Sequence, residues 1–196
     1  NKPLSRSYTI RAFNQQTPSL TLDFVAHGDN GPASAWAMAA EAGDAISIQG
    51  PGPTKLVDMH ADWFFLAGDM SALPAIATNL ERLPEQAKGY AVIEIIHPDD
   101  QQKLSAPAGM EIIWIVNPSP ENSNNAWNSA VQDLPWLAGM PSVWVAGEFE
   151  GMRQLRRYFK QQRQVGRQQI YASSYWKIGT NDEGNKKAKR LDLEAL

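Results

Sequence analysis

The chain has 196 residues, 43% of them apolar, enough for one large domain or two small ones of an ordinary soluble protein. A net charge of −3 excludes nucleic-acid binding by bulk electrostatics, and no apolar run reaches the length of a membrane span. Cysteine is absent, which excludes disulfides, thiolate metal sites, cysteine-ligated iron–sulfur clusters and a cysteine nucleophile. Any redox chemistry must then come from a bound organic cofactor. The first residues lack a charged flank followed by an apolar core, so no secretory signal is read and a cytoplasmic protein is expected.

In chain order, residues 7–13 and 20–27 read as strands joined by a polar turn, the second alternating Leu20, Leu22, Phe24 and Ala26 with Thr21, Asp23 and Val25. Residues 33–42 read as a helix stopped at Gly43, and residues 45–49 as a strand closed by Gly50-Pro51-Gly52-Pro53. A domain boundary is expected within residues 58–62. Beyond it come short apolar runs at 63–67, 90–96, 111–116, 142–146 and 169–172. Helical segments at 72–83, 126–133 and 151–163 lie among them, which predicts a parallel sheet with helical crossovers. Residues 181–196 form a charged tail that can close as a terminal amphipathic helix.

Two early segments carry the chemistry. Arg6-Ser7-Tyr8-Thr9 joins a cation, an aromatic ring and a small hydroxyl, and Gly31-Pro32-Ala33-Ser34-Ala35-Trp36 runs a loop into a helix start. A cation and a helix N-terminus suit a pyrophosphate, and an aromatic beside a hydroxyl suits a flat ring with polar edges. Alone, the first is what an exposed strand carries and the second is a helix cap. Together they describe a flavin dinucleotide.

In the second half, Leu66-Ala67-Gly68-Asp69-Met70-Ser71-Ala72 closes a strand and opens a helix, where open parallel sheets bind ligands. The G-x-G-x-x-G spacing is absent, so a plain strand–turn–helix stays open beside a phosphate or ribose cradle. Val145-Ala146-Gly147-Glu148 repeats the pattern, with Glu148 either a nucleotide acceptor or the cap of the next helix. His27, His60 and His97 have no metal-ligand spacing; His27, ending the strand into the loop, is placed at the ring edge and the other two at the surface. Arg153, Arg156, Arg157, Lys160 and Arg163 read as a solvated helix face, or, with Lys55 and Lys177, as a basic rim for an anionic substrate. Of the adjacent Tyr175 and Trp176, one is expected to cap a ligand cleft.

The ordered set Arg-Ser-Tyr-Thr, Asp-Phe-Val-Ala-His-Gly, Gly-Pro-Ala-Ser-Ala-Trp-Ala, Leu-Ala-Gly-Asp-Met-Ser-Ala-Leu-Pro-Ala-Ile, Trp-Val-Ala-Gly-Glu and Tyr-Trp-Lys-Ile-Gly spans residues 6–179. It resembles the siderophore-interacting protein family of flavin-dependent ferric-siderophore reductases, within the ferredoxin-reductase-like superfamily. The resemblance implies an antiparallel β-barrel FAD-binding domain, followed by an α/β Rossmann-like NAD(P)H-binding domain. The expected domains are 1–58, 59–180 and the tail 181–196. Typical members have further barrel strands before the Arg-x-Tyr motif, so the barrel is expected to be partial here.

By position, the resemblance puts Arg6 at the pyrophosphate, Tyr8 on the isoalloxazine and Thr9 near its reactive nitrogen. Val25 and His27 would meet the pyrimidine edge, and Ala33, Ser34 and Trp36 would hold the phosphates. Gly68, Asp69, Ser71, Ala72 and Glu148 would frame the nicotinamide nucleotide. Lys55, Lys177 and Trp176 would meet an anionic ferric siderophore. No catalytic acid or base is expected. Many members have Gly where this chain has Ser174, and Arg after the strand ending at Val116-Asn117, whose absence leans the donor toward NADH over NADPH. Ferredoxin is a further candidate donor, and a monomer is expected. A flavin- or siderophore-binding module without turnover, or a general flavin reductase, are the alternatives.

Overall fold

The computed structural model describes residues 4–26, 31–122 and 126–194. The chain divides into two compact units, Asn1–Lys55 and Leu56–Leu196.

In the first unit β1 (Ile10–Asn14) and β2 (Ser19–Leu22) form an antiparallel hairpin, with an irregularity between Ile10 and Ala12. The turn forms because the Asn14 side-chain oxygen accepts from the backbone N–H of Gln16 at 2.9 Å and of Thr17 at 3.3 Å, the local bond that favours Asn in turns. Helix α1 (Pro32–Ala39) starts after an extended Gly31, with proline where a helix needs no N–H. It ends three residues before the expected stop, because Ala40 is already extended. Residues 45–49, expected as a strand, join no ladder. Ile46 and Ile48 carry the alternation of a strand but are 53% and 56% exposed, with no strand among the described residues beside them to take their backbone groups.

The second unit is a five-stranded parallel sheet of β3 (Trp63–Asp69), β4 (Lys88–Ile95), β5 (Gly109–Val116), β6 (Pro141–Glu148) and β7 (Ile170–Trp176). The order β5-β4-β3-β6-β7 turns outward in both directions from β3. The gap between the carboxyl ends of β3 and β6 is therefore the switch point at which such sheets form a crevice. Helices α2 (Leu73–Leu80), α3 (Ala126–Asp133) and α4 (Phe149–Arg157) are the crossovers, and α5 (Asp182–Glu194) follows the last strand.

Strand β3 is buried from end to end, as its unbroken apolar sequence requires for a strand covered on both faces. Its residues alternate between two cores. Phe64 and Leu66 pack with Leu73, Ile76 and Leu80 of α2, whereas Trp63, Phe65 and Ala67 pack with Trp127 of α3 and with Met152 and Leu155 of α4. The helix expected over 151–163 changes winding at residue 158, where Tyr158–Gln162 form a π-helical turn. Arg163 then folds back, its Nε donating to the Tyr158 hydroxyl at 2.6 Å and its guanidinium lying 5.0 Å from the Trp136 ring.

Gly68 sets how closely α2 can approach the sheet. A Cβ there would lie 2.7 Å from Ala72 Cβ, 2.8 Å from Ile76 Cδ1 and 2.9 Å from the Ala146 carbonyl. Gly68→Val is expected to destabilise this unit by about 3 kcal/mol, the upper end of overpacking costs. The readout is a lower urea midpoint for unfolding at an unchanged slope.

Candidate functional site

In the first unit the residues of the two early segments meet through Phe24. The Tyr8 and Phe24 rings are 4.5 Å apart between centroids, and Phe24 is 6.1 Å from Trp36 on α1. Residues 7–9, expected to begin a strand, lie outside β1, and the Arg6–Thr9 segment is joined to the helix by aromatic contact rather than by sheet pairing. Tyr8 remains 41% exposed, and its hydroxyl is held above its ordinary value by burial, opposed by the nearby Arg6 charge. Arg6 is exposed, and its guanidinium donates to the Ser5 carbonyl at 2.8 Å. Thr9, Val25, Ala33 and Trp36 are half-buried and Ser34 is buried. His27 lies outside the described residues.

In the second unit Gly68, Asp69, Ser71, Ala72, Glu148 and Trp176, named from separate stretches of sequence, converge on the switch point. Asp69 is their centre. Its Oδ1 accepts from the Ser71 N–H at 2.9 Å and the Ser71 hydroxyl at 2.5 Å; its Oδ2 accepts from the Glu148 N–H at 2.8 Å and the Trp176 indole N–H at 2.7 Å. Gly147 makes room for this, since a Cβ there would lie 2.6 Å from Asp69 Oδ2. Burial pushes the Asp69 carboxyl up, and the four hydrogen bonds pull it back.

Glu148 is the cap of α4. Its Oε2 accepts from the backbone N–H of Glu150 at 2.6 Å and Gly151 at 3.0 Å, and its Oε1 from that of Ile178 at 3.2 Å. The expectation that one of two adjacent aromatics faces a cleft meets a different division. Tyr175 packs edge-on against Trp144, 6.3 Å between centroids, while Trp176 turns its N–H to Asp69. Ser174 donates from its hydroxyl to Asn185 Oδ1 of α5 at 2.5 Å. Lys177 lies 4.3 Å from the centroid of Phe149 and 3.5 Å from Glu150 Oε1, and Lys55 is exposed.

The cations of α4 are partly engaged. Arg156 makes a two-pronged pair with Asp192 of α5 at 2.6 and 2.8 Å, joined by Arg153 Nε at 2.8 Å. The Arg156 hydrogen bond is the main reason the Asp192 carboxyl sits below its ordinary value. Arg163 folds onto Tyr158, Lys160 is half-buried and Arg157 is exposed.

One residue of this edge was absent from the sequence reading. Glu94, next to last in β4, stands directly beside Asp69 in the ladder, half-buried in the apolar run Ala91-Val92-Ile93-Glu94-Ile95. The signal was there: a single charge inside a buried parallel strand. Burial pushes its carboxyl up to about 7; a hydrogen bond with Asn117 opposes this, and the charges of Asp69 and Glu148 add to it. The folded state therefore keeps this proton up to about 7, while an unperturbed carboxyl releases it near 4.5, so folding stability falls as pH rises between the two. Glu94→Gln removes that slope. Thermal melts should show the wild type losing Tm relative to the variant across this window, and parallel curves would refute the assignment.

Residues 61–179 match the family described as siderophore-interacting protein, and residues 1–55 match the siderophore-interacting FAD-binding domain. The ferric vibriobactin reductase ViuB of Vibrio cholerae is 36% identical over 197 residues, covering 99% of this chain and 72% of that protein. The NADPH-dependent ferric-chelate reductase of Escherichia coli is 28% identical over 178 residues, 89% of this chain and 67% of that protein. The crystal structure of the siderophore-interacting protein SipS from Aeromonas hydrophila superposes with a TM-score of 0.88 at 34% identity, covering 98% of this chain and 76% of the other. With an FAD-binding domain preceding a parallel α/β sheet, the chain belongs to the siderophore-interacting protein family.

Proposed function

We propose that the chain is an FAD-dependent ferric-siderophore reductase that takes electrons from NAD(P)H and releases iron as Fe(II). The observation that carries this reading is the aromatic contact that gathers Tyr8 and Trp36 on Phe24, beside the Arg6 guanidinium, in the unit that matches an FAD-binding domain. The related reductases of V. cholerae and E. coli, named for ferric vibriobactin and ferric chelates, support the substrate class.

The residues present fit the cofactor. Among the described residues the Arg6 side chain bonds only to a neighbouring carbonyl, which leaves its remaining donors for a pyrophosphate. The half-open Tyr8 ring offers a surface for a flat heterocycle, with Thr9 beside it to fix a polar edge. Val25 and His27 would meet the pyrimidine edge, and Ala33, Ser34 and Trp36 at the start of α1 would hold the phosphates. Bound FAD supplies the exchange between a two-electron hydride donor and one-electron acceptors. The balance is one NAD(P)H oxidised for two Fe(III) reduced, with one proton released. Siderophores hold Fe(III) far better than Fe(II), so reduction frees the metal. The chelate gains an electron and no bond to carbon breaks, so no side chain has to move a proton there.

Lys55 and Lys177 are the candidates for drawing in an anionic chelate, with Trp176 next to Lys177 in sequence. Gly68, Asp69, Ser71, Ala72 and Glu148 are assigned to the nicotinamide side of the reaction. We further assign residues 1–58 to a β-barrel flavin domain, with the β1–β2 hairpin as part of its wall, and residues 59–180 to the donor domain, followed by the tail 181–196. Among the described residues no helix is long and apolar enough to cross a membrane. A cytoplasmic setting suits a donor that is kept reduced there, and ferredoxin is an alternative donor.

Purified protein should be yellow, bleach anaerobically on addition of NADH or NADPH, and reoxidise with a ferric tris-catecholate chelate while ferrozine traps Fe(II). Arg6→Ala is expected to weaken FAD about tenfold, the loss of one charge-assisted contact. A flavin-loaded protein that neither nicotinamide donor nor ferredoxin can reduce would sink the reading.

A further inference from the structure

The parallel sheet has two edges, and they are finished differently. Strand β7 has α5 against it: the Ser174 hydroxyl donates to Asn185 at 2.5 Å, and Lys189 Nζ donates to the Ser173 hydroxyl at 2.5 Å. Strand β5 pairs with β4 from Lys88↔Gly109 to Ile95↔Val116 without irregularity, and no strand among the described residues lies on its other side. Just past β5, the Asn117 N–H donates to the Ile95 carbonyl of β4 at 2.7 Å. Backbone groups alternate in direction along a strand, so the N–H and C=O of Ile112, Trp114 and Val116 point away from β4. Among the described residues none of those groups has a hydrogen-bond partner.

This row is closed at both ends. The Met110 N–H, next in the alternation, is taken by the Pro107 carbonyl at 3.0 Å, and Pro118 has no N–H to offer. What remains is Ile112, Trp114 and Val116, apolar side chains on one face of the strand and symmetric in sequence about Trp114. Val116 is 40% exposed. Unpaired edge strands are ordinarily guarded by proline, lysine or a bulge, because their open backbone groups recruit another strand. Strand β5 contains no proline, lysine or irregularity, and its one charge is Glu111.

We propose that β5 pairs antiparallel with β5 of a second copy of this chain, joining two five-stranded sheets into one about a two-fold axis at Trp114. The closed row dictates the register. Trp114 faces its own counterpart, Ile112 faces Val116, and each facing pair exchanges both of its N–H···O bonds. Glu111 then falls opposite Asn117, so no like charges meet, and the two indoles form a cross-strand aromatic pair. A strand of some other protein would not require a row that matches itself; the symmetry about Trp114 and the absence of charge conflict select a second copy. Such an interface uses the same patch on both chains and closes at a dimer. It replaces the monomer expected from the sequence and does not depend on the cofactor or the electron donor. Strand β4 separates β5 from β3, so the pairing does not use the crevice between β3 and β6.

The test is sedimentation equilibrium of the full chain, with FAD added, over about 1–100 µM. The expected result is a mass that rises to twice that of the chain. Val116→Pro removes an N–H that has no partner inside the fold, and is expected to weaken the dimer at least about tenfold. Because the chain has no cysteine, Trp114→Cys sets a single thiol against its counterpart, at the Cα spacing of about 5.5 Å that such a pair shares with disulfides. With diamide as the oxidant it is expected to link two chains, whereas Glu111→Cys, which faces the partner's Asn117, is not. A chain that stays monomeric over the whole range overturns the proposal. So does a dimer that Val116→Pro leaves at full strength, or one that links through Glu111→Cys as readily as through Trp114→Cys. Should Trp114→Cys fail to fold, the response to Val116→Pro decides.

Discussion

The carboxylate of Asp69 is the point on which the second unit closes. Parallel strands end without turning back, so their carboxyl ends must be tied by something other than a hairpin. Here one buried carboxyl accepts from the turn after β3, from the backbone at the end of β6 and from the indole at the end of β7. Removing this acceptor would leave several buried donors unsatisfied, at about 1–3 kcal/mol each. The glycines at 68 and 147 follow from this arrangement. The first lets α2 sit against the strand and the second lets β6 approach the carboxylate.

The first unit is built on the opposite economy. Its described residues form one short hairpin and one short helix, with several large apolar side chains open, Phe13 at 62% and Met38 at 60% among them. Its order around the candidate flavin site comes from the Tyr8–Phe24–Trp36 contacts. Ring contacts of this kind add about 0.5–1.5 kcal/mol beyond burial, enough to orient a surface without making it rigid. A cofactor that adds its own flat surface and charge to such a unit would contribute to its stability as well as its chemistry.

The parallel sheet was legible because both of its faces are covered, so each strand is a nearly continuous apolar run. The hairpin was legible from alternation and a polar turn. Residues 45–49 read as a strand from the same alternation and are not one, because a strand needs a neighbour and the sequence of one segment does not say where its partner lies. Gly68, Asp69, Ser71, Ala72 and Glu148 could be named from their position at strand ends, but not how they use their hydrogen-bonding capacity. That depends on Trp176, which is 107 residues from Asp69. Glu94 was passed over because a lone acid in an apolar run looks like noise until the register sets it beside Asp69.

The row of cations on α4 has a consequence for how the molecule meets charged species. Read from the sequence it is a basic stripe that would draw anions from a distance. Arg153 and Arg156 are instead closed onto Asp192, and Arg163 onto Tyr158 and Trp136. Asp192 offsets part of the charge of Arg153 and Arg156, while Tyr158 and Trp136 hold Arg163 in place without neutralising it. The stripe keeps a net positive charge, so dissolved salt would weaken whatever attraction it exerts on an anion.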